Sequence, residues 1–189
     1  MVRHGQSEWN ADGRWQGQED PPLTDLGRAQ ARQAARAVGA VDGIFASPLD
    51  RAATTASIIS EELGVGPVIT LPGLMERNAG EWQGLTRSEI AELHPGYLED
   101  GRRPPGWEDD DLVEARVLGA LDAIAREHPY GSVVAVAHAG VIFAAERAFG
   151  APWERLANLG GRWFEHADGR WVIGERVHLL VEETIPDQL

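Results

Sequence analysis

Apolar and polar positions along this chain change period several times, and each change marks an element. Between Thr24 and Val38 alanines, arginines and glutamines predominate, and Thr24 can cap the start, which predicts a helix over about Asp25 to Val38. Ile44-Phe45-Ala46 is a short apolar run that reads as a buried strand. Ser47-Pro48 then supplies a cap and a proline for the first helical position, opening a helix through Ile58, Ile59 and Leu63 that Gly64 ends. Val68-Ile69 reads as another strand, and a short helix is expected near Ser88 to Leu93. Val113, Val117, Leu121 and Ile124 recur at helical spacing behind a cap at Asp109 to Asp111. Ser132 to Ala137 is continuously small and apolar between Gly131 and Gly140, as suits a central strand covered on both faces, with a helix after it ending at Gly150. In the tail, Trp163-Phe164 and Trp171-Val172-Ile173 flank Asp168-Gly169, a hairpin signal.

Strand and helix alternate until that hairpin, which predicts an α/β fold: a three-layer sandwich with a mainly parallel central sheet, helices on both faces and a late antiparallel hairpin. Composition adds that 189 residues with 43% hydrophobic content can fill one core, and no shift in composition divides the chain, so one domain over 1–189 is expected. The glycine- and proline-rich stretch over 84–108 is the expected place for a lid. With no cysteine, disulfides and thiolate-held metals are excluded, and a cytoplasmic location is permitted. No signal peptide or membrane span is visible. A formal net charge of -13 argues against nucleic acid or an anionic membrane as partner. An anionic small molecule would be repelled at long range too, so its binding would need a few arginines gathered in a cleft.

Candidates for such a cleft stand in distinctive settings. Arg3-His4-Gly5 follows the apolar Val2, and a histidine beside an arginine and a turn glycine has the makings of a nucleophile facing a bound anion. Arg51 falls in the first turn of its predicted helix, where the helix dipole disfavours a cation by about 0.3–1 kcal/mol, so something anionic should compensate. That partner is either a bound phosphate at the helix start or simply the neighbouring Asp50. His138 follows the apolar run, at the carboxyl end of its strand, the edge at which ligands bind in open α/β sheets. Taken alone it is as compatible with a satisfied core histidine. Trp9, Trp15, Trp82 and Trp107 fall in predicted loops around this edge, as walls for a substrate or as ordinary packing.

The string Arg3-His4-Gly5-Gln6-Ser7-Glu8-Trp9-Asn10, with Arg51 in Ser47-Pro48-Leu49-Asp50-Arg51-Ala52, Glu76 in Leu74-Met75-Glu76-Arg77 and His138 in Val136-Ala137-His138-Ala139-Gly140, resembles the histidine phosphatase superfamily, the phosphoglycerate mutase-like enzymes. The resemblance runs from Val2 to about His178. It implies a phosphatase of small-metabolite phosphate monoesters, without metal or cofactor, working through a phosphohistidine at His4. By the same resemblance Arg3, Arg51 and His138 would hold the phosphoryl oxygens, and Glu76 would serve as general acid and base. Glu81 is the rival for that last role. Substrate contacts are expected from Asn10, Gln16, Gly17 and Ala139 as well, although Asn10 and Gln16-Gly17 could instead satisfy loop backbone. The expected partner is a small phosphate ester, met by a monomer or homodimer.

The family commonly has a second glycine where this chain has Ala139, so a need for positive φ there would disturb phosphate positioning. Pro105-Gly106-Trp107-Glu108 replaces the usual Gly-Glu-Ser string, and only Met1-Val2 stands for the family's full first strand, as if the chain had been trimmed. Two other readings compete. A cofactor-dependent phosphoglycerate mutase would use the same residues but is longer, with an insertion after the acid-bearing loop that is not expected in 189 residues, and a non-catalytic phosphate-binding module would not need the full catalytic set.

Overall fold

The computed structural model describes residues 1–180, and the rest of the expected 1–189 extent lies outside the described residues. Its frame is a six-stranded sheet: β1 (Val2–Arg3), β2 (Gly43–Ala46), β3 (Val68–Thr70), β4 (Val133–Ala137), β5 (Gly160–Ala167) and β6 (Arg170–His178), in the order β3-β2-β4-β1-β5-β6. The first four in that order are parallel, and β5 joins β1 antiparallel and pairs with β6 as a hairpin. Asp168 and Gly169 both adopt positive φ at the hairpin tip, which these two residue types tolerate in a two-residue turn.

Helices α1 (Glu8–Ala11), α2 (Asp25–Val38), α3 (Asp50–Leu63), α4 (Arg87–Leu93), α5 (Asp110–Glu127) and α6 (Ala139–Ala148) complete the described elements, with single 3-10 turns at Pro72–Leu74 and Gly80–Trp82. Successive strand residues face opposite sides, so the sheet's composition sorts into two cores. Ile44, Ala46, Val134 and Val136 pack with Ala34 and Ala35 of α2 and Ala52, Ala56 and Ile59 of α3. Phe45, Ala135 and Ala137 face the other way, onto Val113, Val117, Leu121 and Ile124 of α5 and Val141 and Ala145 of α6. That is the predicted three-layer α/β sandwich.

Two local expectations change. Ser47 does not cap α3: the helix starts at Asp50 behind Leu49, and no side chain caps it. The Ser47 hydroxyl accepts from the Leu49 backbone N–H while facing His138, so the Ser-Pro pair serves the strand end and not the helix. Trp9 lies in α1 and not in a loop, with its ring against Gly84.

Candidate active site

The parallel ladder places the two histidines. β1 and β4 pair Arg3 with Ala137, so the next residues, His4 and His138, leave the sheet side by side at its carboxyl edge. The His4 backbone N–H continues the ladder onto the Ala137 carbonyl at 3.0 Å, and the imidazole centroids are 5.1 Å apart. Both rings are buried. His4 Nδ1 lies 2.6 Å from the Gly5 carbonyl, which only a protonated Nδ1 can satisfy, so the free lone pair sits on Nε2. His138 Nε2 lies 2.8 Å from the Ser47 hydroxyl.

Close backbone contact holds the Arg3-His4-Gly5 turn. The Gly5 N–H donates to the Thr55 hydroxyl, and Asn158 Nδ2 donates to the His4 carbonyl at 3.0 Å. A Cβ on Gly5 would stand 2.6 Å from the Gly27 carbonyl oxygen, and one on Gly27 would stand 2.0 Å from the Gln6 carbonyl oxygen. Glycine at both positions lets α2 abut the turn directly.

Arg3 and Arg51 are buried cations without a close acid. Arg3 donates to the Leu156 carbonyl, and Arg51 to the carbonyls of Gly17 and Glu19. Among the described residues Arg3 has no ion pair, and the only one of Arg51 reaches half-exposed Asp20 at 3.8 Å. Asp50 is therefore not the compensating acid: it accepts from the Thr54 hydroxyl at the helix surface. Burial lowers the pKa of both guanidiniums to about 10, which leaves them charged at neutral pH. Burial first, and the Arg51 and Arg3 charges next, push His4 well below the ordinary histidine value; His138 is lowered by burial, then by Arg51, His4 and Arg3. Both rings are neutral where histidine usually begins to titrate. Buried donors without a partner among the described residues concentrate here, on Arg3 Nε, Arg51 Nε, Asn10 Nδ2 and, with its proton on Nδ1, His138.

Glu76 comes from the segment after β3 and lines the same cavity as Arg3 and His4, a cleft of about 520 Å³. Its carboxylate accepts from the Arg77 and Gly140 backbone N–H groups, at 2.8 and 3.2 Å. Arg116 on α5 fastens the segment by donating to the Gly73, Met75 and Glu76 carbonyls. Glu81, the rival, is exposed, outside the cavity lining and 3.9 Å from His94. Ala139 is the first residue of α6, with no positive φ, so the expected cost of alanine does not arise. The close approach is at Gly140, where a Cβ would stand 2.5 Å from Glu76 Oε1 and would displace that carboxylate.

The remaining contacts divide. Gln16 and Gly17 line the cleft, with Gln16 accepting from the Ser7 hydroxyl. Asn10 is buried beside it as the third residue of α1, its Oδ1 accepting from Ser7 and Asn158. Trp15 and Trp107 line the cavity and pack with buried Trp82, centroids 5.2 to 5.8 Å apart. The 84–108 stretch supplies Arg87, Leu98, Arg103 and Trp107 to the wall. Sequence reasoning missed Ser47, Asn158 and Arg116. Of these only Arg116 left a signal, a cation beside the apolar stripe Val113, Val117.

A cleft at the carboxyl ends of parallel strands, lined by buried Arg3 and neutral His4, with His138 packed on His4 and outside the lining as Arg51 is, defines a class of α/β enzyme that works on small anions. Comparison with known proteins narrows the class. The family model of the histidine phosphatase superfamily (branch 1) matches residues 1–176. Phosphoglycerate mutase-like protein 4 of Arabidopsis thaliana is 33% identical over 97% of this chain and 86% of its own length. Glucosyl-3-phosphoglycerate phosphatase of Mycobacterium tuberculosis is 36% identical over 92% and 86%. The structure of a mycobacterial glucosyl-3-phosphoglycerate phosphatase with VO3 superposes with a TM-score of 0.82 at 30% identity, over 92% of this chain and 95% of that one. The chain belongs to the histidine phosphatase superfamily. It is a phosphoric monoester hydrolase.

Proposed function

We propose that this enzyme hydrolyses monoesters of small metabolites, sugar phosphates or phosphoglycerate derivatives among them, through a phosphohistidine at His4. The observation that carries the reading is the tautomer: Nδ1 of a neutral imidazole is committed to the Gly5 carbonyl, so Nε2 keeps its lone pair beside two buried guanidiniums. Nε2 attacks phosphorus as the ester P–O bond breaks, and the Glu76 carboxyl gives its proton to the departing alcohol oxygen. Water then attacks phosphorus, the Glu76 carboxylate takes its proton, and the P–N bond breaks to restore His4. Arg3, Arg51 and His138 meet the charge on the phosphoryl oxygens, so the chemistry needs no metal. Asn10, Gln16, Gly17 and Ala139 complete the substrate contacts. The protein works in the cytoplasm as a monomer or homodimer, and the 84–108 stretch covers the cleft as a lid.

The test is hydrolysis of nitrophenyl phosphate in excess chelator, which should persist, and its abolition in a folded His4→Ala protein. Glu76→Gln should slow an alkyl phosphate at least tenfold more than nitrophenyl phosphate, since an acid helps only when the leaving oxygen needs a proton. An active His4→Ala protein would overturn the assignment of the nucleophile. Supplied with 3-phosphoglycerate and catalytic 2,3-bisphosphoglycerate, the protein should form little 2-phosphoglycerate; rapid isomerisation without phosphate release would make the mutase the better reading.

A further inference from the structure

The cleft extends beyond what phosphoryl transfer uses. A volume of about 520 Å³ lies within the range of sites that hold ring-sized ligands, far above the space a phosphoryl group and a three-carbon alcohol fill. The surplus is bounded by α6 and the chain that follows it. Past Gly140, which abuts Glu76, α6 presents Phe143 to the cavity, and the connection to β5 brings Pro152 and Trp153 to the same wall. Trp153 is 62% exposed, although a tryptophan ring ordinarily finds cover.

This exposure is held in place by the chain around it. Trp153 packs on Phe143 with centroids 5.8 Å apart. The next two residues are clamped: Arg176 donates to the Glu154 and Arg155 carbonyls and pairs at 2.7 Å with buried Glu146, whose other oxygen takes Arg162. One residue further, the Leu156 carbonyl receives Arg3. An anchored, exposed indole in a reaction cleft, on the segment that also orients a phosphate-side arginine, is built as a platform for the other half of the ester.

We propose that Trp153, backed by Phe143, determines specificity by stacking on the face of a ring in the leaving alcohol, so that the preferred substrates are monoesters of ring-bearing alcohols, whether the ring offers a sugar's C–H face or an aromatic π face. This rests on the phosphatase reading above. The test compares wild type, Trp153→Ala and Trp153→Phe on phenyl phosphate, glucose 6-phosphate and glycerol 3-phosphate, alongside calorimetric binding of benzylphosphonate and of inorganic phosphate. Trp153→Ala should lower kcat/KM about tenfold for the ring esters and less than twofold for glycerol 3-phosphate, with Trp153→Phe largely restoring it. A loss on only one ring ester supports the platform and names its ring. Equal losses on all three esters, or none on any, would overturn it. Binding separates this from failure of the phosphatase reading: if no ester is turned over but Trp153→Ala still weakens benzylphosphonate about tenfold and phosphate under twofold, hydrolysis falls and the platform stands. If no ester is turned over, unchanged benzylphosphonate binding overturns the platform as well.

Discussion

His4 and His138 carry two consequences of burial that point in different directions with pH. Because desolvation and the neighbouring Arg51 and Arg3 charges lower both pKa values, each ring stays neutral as pH falls through 6.5. An NMR titration of the imidazoles should therefore show neither ring protonating between pH 8 and about 6, and a midpoint near 6.5 for His4 would contradict its surroundings. In the unfolded chain the same histidines protonate near 6.5, so below that pH the unfolded state binds more protons than the native one. Their contribution to stability is present above 6.5 and is lost as pH falls towards the depressed native values; the urea midpoint should drop between pH 7.5 and 5.5. At this scale the residues that the sequence singled out by their settings, Arg3, His4 and Glu76, line one cleft, and Glu81 does not. The sequence was silent where a common residue works through distance alone: nothing marks Asn158 as the donor to the His4 carbonyl or Ser47 as the neighbour of His138.

At the scale of elements, helical spacing located α5, a cap and helix-forming composition located α2, a continuous apolar run located β4, which is covered on both faces, and a turn with distinctive residues located the β5–β6 hairpin. The start of α3 was misread since Ser-Pro is a strong local cap signal, and tertiary pairing with His138 outweighs it. Strand order could not be read at all, yet it is what sets the site: the β1–β4 register alone makes His4 and His138 neighbours. The hairpin is fastened to α6 through Glu146, a carboxylate 2% exposed between Arg162 and Arg176. Glu146→Gln leaves two guanidiniums facing a neutral amide, and breaking such a buried pair costs about 3–5 kcal/mol. Urea denaturation should record a loss of that order; a change below about 1 kcal/mol would mean that water reaches the cluster.

The whole molecule bears a formal charge of -13, opposite to what an anionic substrate needs, while Arg3 and Arg51 lie buried and Arg87 and Arg103 stand exposed on the cleft wall. Repulsion from the distributed surface charge acts at long range, and salt removes it first: the screening length falls from about 30 Å at 0.01 M to about 8 Å at 0.15 M. Attraction at contact with buried guanidiniums is screened far less. Raising ionic strength over that interval should thus leave kcat/KM within about twofold or increase it, and a tenfold fall would show that substrate is steered by exposed cations instead. Topology has a consequence of another kind. His4 and His138 are tied to a backbone ladder, whereas the 84–108 stretch and the connection after α6 supply other parts of the cleft wall. These parts are built separately, so residues such as Trp107 or Trp153 can be exchanged while the β1–β4 register that places His4 and His138 stays as it is.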